Sequence, residues 1–183
     1  MRRILRRKTR EGDPVVKGIE IRTIQVSDAE DFLALCHQLD EETDFLMLEP
    51  GERKTTLKQQ QDSIASMISQ RRGQIFLALH QKELVGYLGA FRGQYQRNAH
   101  SAYLVMGIRQ SFFRRGIGMA LFSELEKWAQ ENQVHRLELT VMAHNAAAIG
   151  LYKKMGFSVE GDKRHSLRVK GRWVDEYYMA RLL

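Results

Sequence analysis

A single cysteine, Cys36, and only two prolines, Pro14 and Pro50, occur in this chain of 183 residues. One cysteine cannot close an internal disulfide, and such sparse use of the residue fits an intracellular, cytoplasmic protein. No apolar run approaches the ~20 residues that span a bilayer, so no helical membrane anchor is expected. Residues 1–18 carry charge but no apolar h-region, which argues against a secretory signal. No set of His, Cys, Asp and Glu has metal-ligand spacing, and no Ser-His-Asp order suggests a hydrolytic triad, so no metal site is expected. Repeats and low-complexity blocks are missing as well.

What is there is an ordinary globular mixture. Hydrophobic residues make up 43% and charged residues 28%, enough for one domain with its own core. The net charge of +7 is uneven. Residues 1–18 hold seven Lys and Arg against two acids, +5, which leaves +2 for the other 165 residues. The basic character therefore belongs to a leader, expected to be flexible, and residues 19–183 form the domain. Aromatics do not interleave the leader's charges, so a solvated tail is a plainer reading than a nucleic-acid or ribosome tether.

Residues 19–25 alternate as a first strand. Ser27 and Glu30 have capping-box spacing, and Phe32, Leu35, Cys36 and Leu39 follow as one helical stripe. On that stripe Cys36 reads as a small buried hydrophobe rather than a nucleophile. Residues 40–49 read as acidic and irregular, closed by Pro50-Gly51, before a second helix over 55–70. Residues 74–80 form a nearly continuous apolar run, the signature of a strand buried on both faces. A hairpin turn at Gln81-Lys82 leads to a strand over 83–91, and another strand covers 100–108. A long helix spans 118–132 with Leu121, Leu125, Trp128 and Ala129 inward. A strand over 136–141, a short helix over 145–155 ended by Gly156, and strands over 157–160 and 173–180 complete the chain. The order βααβββαβαββ predicts an α/β fold with a mixed, mostly antiparallel sheet flanked by helices.

Within that pattern the segment Ile108-Arg-Gln-Ser-Phe-Phe-Arg-Arg-Gly-Ile-Gly-Met-Ala-Leu leaves a strand, crosses a basic glycine-containing loop and enters a helix. The first N–H groups of a helix lack internal partners and carry partial positive charge. Gly116 and Gly118 permit close backbone approach, and Arg114 and Arg115 add full charges. The segment is built to cradle a pyrophosphate, although loop glycines at a helix start also serve turn geometry alone.

This loop resembles the R/Q-x-x-G-x-G/A signature of the GNAT (GCN5-related) N-acetyltransferase superfamily. Gly116 and Gly118 fall on the glycines, Arg114 and Arg115 on the free positions, and Phe113 stands where the pattern has Arg or Gln. Downstream, Asn145, Ala148, Leu151, Tyr152, Gly156 and Phe157 match the family's N-x-x-A-x-x-L-Y-x-x-x-G-F element. Asn145 also reads as a helix N-cap and Tyr152 as a packed aromatic. The resemblance covers residues 19–183 and implies the GNAT acyl-CoA N-acyltransferase fold, with acetyl-CoA as coenzyme substrate and an amine as acceptor. It implies coenzyme contacts from Met106, Gly107 and Ile108 on a splayed strand. Further contacts are implied from Phe113, Arg114, Arg115, Gly116, Ile117, Gly118 and Met119 in the loop, and from Asn145, Ala148 and Tyr152. The closing strands resemble those of members that acetylate small amines, polyamines or protein N-termini.

Amine attack on a thioester needs a neutral amine, close alignment, an oxyanion donor and a proton for the leaving thiolate. Tyr152 matches the family's general acid. No acid lies on the strand over 100–108, where many relatives carry a glutamate, so Glu138 on the neighbouring strand is the candidate base. His100, His144 and ordered water are the alternatives, and simple charge pairing is the plainer reading of Glu138. The acids Glu41, Glu42 and Asp44, with Phe45 beside them, are candidate acceptor contacts that would favour a cationic amine. A small-molecule amine is the expected acceptor. Protein N-terminal or lysine acetylation and a non-catalytic acyl-CoA-binding module are the alternatives. The assembly, a homodimer included, is left open.

Overall fold

The computed structural model describes residues 16–183, so residues 1–15 of the expected leader lie outside the described residues. The elements are β1 (Ile19–Thr23), α1 (Ala29–Glu42), α2 (Leu57–Ser69), β2 (Gly73–His80), β3 (Glu83–Arg92) and β4 (Ser101–Ile108), followed by α3 (Ile117–Glu131), β5 (Arg136–Met142), α4 (Ala146–Lys154), β6 (Ser158–Val169) and β7 (Arg172–Leu182). Their order is the one the sequence predicts. The seven strands form one sheet in the order β1-β2-β3-β4-β5-β7-β6. Every neighbouring pair is antiparallel except β4 and β5.

Helices cover both faces. The stripe Ile117, Leu121, Leu125 and Ala129 of α3 recurs at four-residue spacing, and each of these side chains is at most 1% exposed, against Phe76, Val85, Leu88 and Leu137 of the sheet. Trp128 meets Phe76 edge-on. Each fully buried leucine of this kind contributes about 1.5–3 kcal/mol of transfer free energy. On the other face Phe32, Leu35, Cys36 and Leu39 of α1 and Ile64 of α2 pack on Ile75, Leu77 and Tyr87. Strand β2 is buried on both faces because it lies between these two layers. The turn joining it to β3 holds Gln81 and Lys82 at positive φ, as a tight two-residue hairpin requires.

Four local expectations change. The first helix starts at Ala29, and the Ser27–Glu30 box does not form. Instead Asp28 accepts the Gln25 N–H at 2.7 Å and takes two bonds from Arg22, which holds residues 26–28 in a 3-10 turn. Helix α1 then runs on to Glu42 through residues expected to be irregular. Its buried stripe continues to Asp40, 3% exposed, whose carboxylate is met by Arg53 at 2.6 and 2.8 Å. Strand β6 is far longer than the expected 157–160. Two register shifts in its pairing with β7 break the alternation that would reveal it. Finally, ordered structure precedes Ile19: Val16 packs on the α3-side core, and its carbonyl accepts the Ile19 N–H at 3.0 Å.

Candidate active site

Strands β4 and β5 pair at only three positions, Ser101↔Arg136, Ala102↔Leu137 and Tyr103↔Glu138. Beyond Tyr103, β4 stays with β3 as far as Ile108, while β5 stays with β7 as far as Met142. A gap opens between them. Arg109 donates its N–H to the Val85 carbonyl on β3. Backbone groups alternate sides along a strand, so those of Gly107 also face β3, and those of Met106 and Ile108 turn into the gap. Unpaired strand N–H groups of this kind are costly unless something binds them.

Helix α3 starts beneath the end of β4. Gly116 is its N-cap at φ +83°, a left-handed conformation glycine adopts without a Cβ penalty. The first intrahelical bond is the one Ala120 N–H donates to the Gly116 carbonyl, so the N–H groups of Ile117, Gly118 and Met119 have no helical partner. Gly118 has a different reason to be glycine. A Cβ there would lie 2.7 Å from Leu151 Cδ2, so its absence lets α3 approach α4. Arg115 folds back over the Phe112 ring at 4.7 Å and donates to the Ser111 carbonyl, while Phe113 and Arg114 are exposed.

Asn145 caps α4 by accepting the Ala148 N–H at 3.1 Å, and it thereby orients the helix that carries Tyr152. The Tyr152 ring packs against Phe122 and Phe157. Burial pushes its phenol pKa up to about 12, and Tyr103 adds to the rise. Tyr103 sits at the last paired position of β4, where the gap begins. The folded-state pKa exceeds the unfolded value near 10, so this phenol adds stability below pH 10 that fades as pH climbs towards 12. Melting temperatures measured from pH 9 to 11.5 should fall less steeply for Tyr152→Phe than for wild type. Parallel curves would remove Tyr152 as a contributor, leaving Tyr87, whose pKa burial also raises.

Most of the other side chains singled out from the sequence have partners. Glu138 accepts from Arg136 Nε at 2.7 Å, and Arg136 also holds Glu160. Glu42 accepts the Gln110 N–H at 2.7 Å and lies against Arg109, tying α1 to the loop before α3. Asp44 pairs with Lys170 of the β6–β7 turn. Glu41 is exposed, and Phe45 lies against the His144 ring. The His100 carbonyl accepts from His135 and Arg136 at the root of β5. Two acids are buried that the sequence did not mark as buried. Asp40 continues the α1 stripe by one position, a signal present in the periodicity. Glu176, 4% exposed, faces Lys163 at 2.9 Å. Burial alone would raise its pKa, but Lys163, Thr140 and Ser166 hold it below the usual carboxylate range. Thr140 also bonds Tyr103 at 2.8 Å, so a polar chain crosses the sheet face beside the gap.

The family model for the Acetyltransferase (GNAT) family matches residues 34–157. The chain is 39% identical over 105 residues to the L-amino acid N-acetyltransferase AaaT of Escherichia coli, a match covering 55% of this chain and 62% of that protein. It is 30% identical over 89 residues to the L-methionine sulfoximine/L-methionine sulfone acetyltransferase of Pseudomonas aeruginosa, covering 49% of this chain and 48% of the relative. The chain thus spans between about half and 62% of the length of these two relatives. An acetyltransferase of GNAT family from Streptococcus pneumoniae superposes with a TM-score of 0.86 at 28% identity, covering 90% of this chain and 99% of that one. With the split β4–β5 pair, the open α3 N-terminus and the family match over most of the domain, this chain belongs to the GNAT acetyltransferase family.

Proposed function

We propose that the chain transfers an acetyl group from acetyl-CoA to the primary amine of a small molecule. The observation that carries this reading is the gap between β4 and β5, with the unpartnered N–H groups of α3 at one end and Tyr152, whose phenol senses Tyr103 where the gap begins. The N–H groups of Ile117, Gly118 and Met119 suit a pyrophosphate, because three aligned donors at the positive end of a 15-residue helix favour an anion. The Met106 and Ile108 N–H groups suit the pantetheine arm and the thioester carbonyl, whose oxygen gains negative charge during attack. Bound there, acetyl-CoA supplies an activated acyl carbon.

The amine enters as a free base, having lost a proton to water. Its nitrogen forms a bond to the carbonyl carbon while the carbon–sulfur bond breaks, and the nitrogen, now cationic, gives its surplus proton to water to leave the neutral amide. The departing thiolate takes the Tyr152 phenolic proton, and solvent reprotonates the phenolate. A phenol whose pKa is pushed up to about 12 stays protonated at neutral pH, so it is available as a donor on every turnover. Glu138 stands in this scheme as a paired carboxylate, since Arg136 occupies it.

Thiol release from acetyl-CoA, followed with a library of primary amines, tests the reading. At least one amine should accelerate release by more than 100-fold over the acceptor-free rate. Tight acetyl-CoA binding with no acceptor-dependent release across the library would instead make the chain a binding module.

A further inference from the structure

Between α1, α2 and the sheet face of β2–β4 lies a cavity of about 560 Å³. Leu46 and Met47, which follow the acids of residues 40–44, line it, while Glu41, Glu42, Asp44 and Phe45 do not. Its walls are largely apolar, with Phe32, Ile64, Met67, Ile75 and Val105 among them. Its formal charge has one sign: Arg53, Arg72 and Arg92 line it, and no Asp, Glu or Lys does. Arg53 gives Nε and Nη2 to Asp40. That is the side of the guanidinium fork, and it leaves the Nη1 end without a partner among the described residues. Arg92 spends Nε and Nη2 on the Ala99 carbonyl in the same way. Arg72 is exposed at the rim, and its carbonyl accepts the Arg92 N–H at 2.8 Å, so the two arginines are neighbours. Tyr87 is 8% exposed and lines the cavity with no hydrogen-bond partner for its hydroxyl among the described residues.

The cavity adjoins the gap between the strands. Its β4 wall is Val105, two residues past the last position paired with β5. Tyr87 pairs with Gly107 across β3–β4, and its phenol senses both Arg53 and Tyr152. A molecule held here lies on the sheet face opposite α3, with one end at the strand gap.

We propose that this cavity binds the acceptor, and that the acceptor is an α-amino acid with an apolar side chain. This rests on the acetyltransferase reading above. The carboxylate meets the free end of Arg53 and the Tyr87 hydroxyl, in the field of Arg72 and Arg92, where charge-assisted bonds are strongest. The side chain lies against Ile64, Met67 and Ile75. The α-amine is left towards the gap. The acids of residues 40–44 do not oppose this, because Asp40, Glu42 and Asp44 are each paired with their own basic partner or backbone donor, and Glu41 is exposed and does not line the cavity. A peptide N-terminus has an amide where Arg53 and Tyr87 select a carboxylate.

The experiment compares L-methionine with L-methioninamide. Thiol release should give a kcat/KM about 10- to 100-fold higher for the free acid, the worth of a hydrogen bond to a charged group. The amide's amine is the weaker base and offers more neutral nucleophile, so chemistry alone would favour the amide. Tyr87→Phe and Arg53→Lys, which keeps a cation against Asp40, should each narrow the ratio. In a second arm, melting temperature is read with coenzyme A present. Methionine should raise it and methioninamide should not. Equal kcat/KM for the two, or a preference for the amide or for an alanyl peptide, overturns the amino-acid assignment and leaves the acetyltransferase reading intact. No thiol release with any acceptor sinks that reading instead, and the melting arm then decides the cavity: no methionine-specific shift overturns it.

Discussion

Gly116→Asp should weaken acetyl-CoA binding at least 100-fold while the protein stays folded. Gly116 is the N-cap of α3 at φ +83°, and aspartate is among the few residues with a side chain that tolerate the left-handed region. Space is not the obstacle either. The nearest heavy atom to a new Cβ is Val16 Cγ2 at 3.4 Å, an ordinary contact. The effect is electrostatic and competitive. A carboxylate at this point lies beside the N–H groups of Ile117, Gly118 and Met119, satisfies one or two of them, and sets a like charge against the incoming pyrophosphate. Titration calorimetry with acetyl-CoA measures it, with a thermal melt as the folding control. A folded variant that binds with wild-type affinity would show that the pyrophosphate lies elsewhere.

For Tyr152→Phe the expected result is a fall in kcat of about 10²–10⁴-fold, with KM for acetyl-CoA within about threefold of wild type. The ring that packs against Phe122 and Phe157 is kept, so the variant should hold its fold and its coenzyme. Only the proton for the leaving thiolate is lost. Steady-state kinetics at saturating acceptor measures kcat directly. Wild-type turnover in the variant would assign thiolate protonation to solvent. A rise in KM with unchanged kcat would make Tyr152 a binding contact rather than an acid.

The two segments richest in chemistry were legible because each is local. The run from Ile108 to Leu121 encodes a strand end, a glycine at positive φ and a helix start within 14 residues, and backbone geometry there depends on near neighbours. The Asn145 cap and the Tyr152 stripe position are set within one helix. Glu41, Glu42 and Asp44 show the opposite case. Their charges were plain, but the partners of Glu42 and Asp44 come from the loop before α3 and the β6–β7 turn. Gly118 shows it too: its neighbour Leu151 is on another helix.

By itself the sequence determined the element order, the helical and strand faces, the anion-ready start of α3 and the family, because these follow from periodicities and from residues adjacent in the chain. Tertiary structure alone decided three things. It parted β4 from β5 after Tyr103, paired Asp40 with Arg53 across 13 residues, and gathered Arg53, Arg72, Arg92 and Tyr87 around one cavity. The reason is distance along the chain. Strand pairing and buried charge compensation join residues from separate elements, and their energies depend on which partners the packed layers bring within a few ångströms.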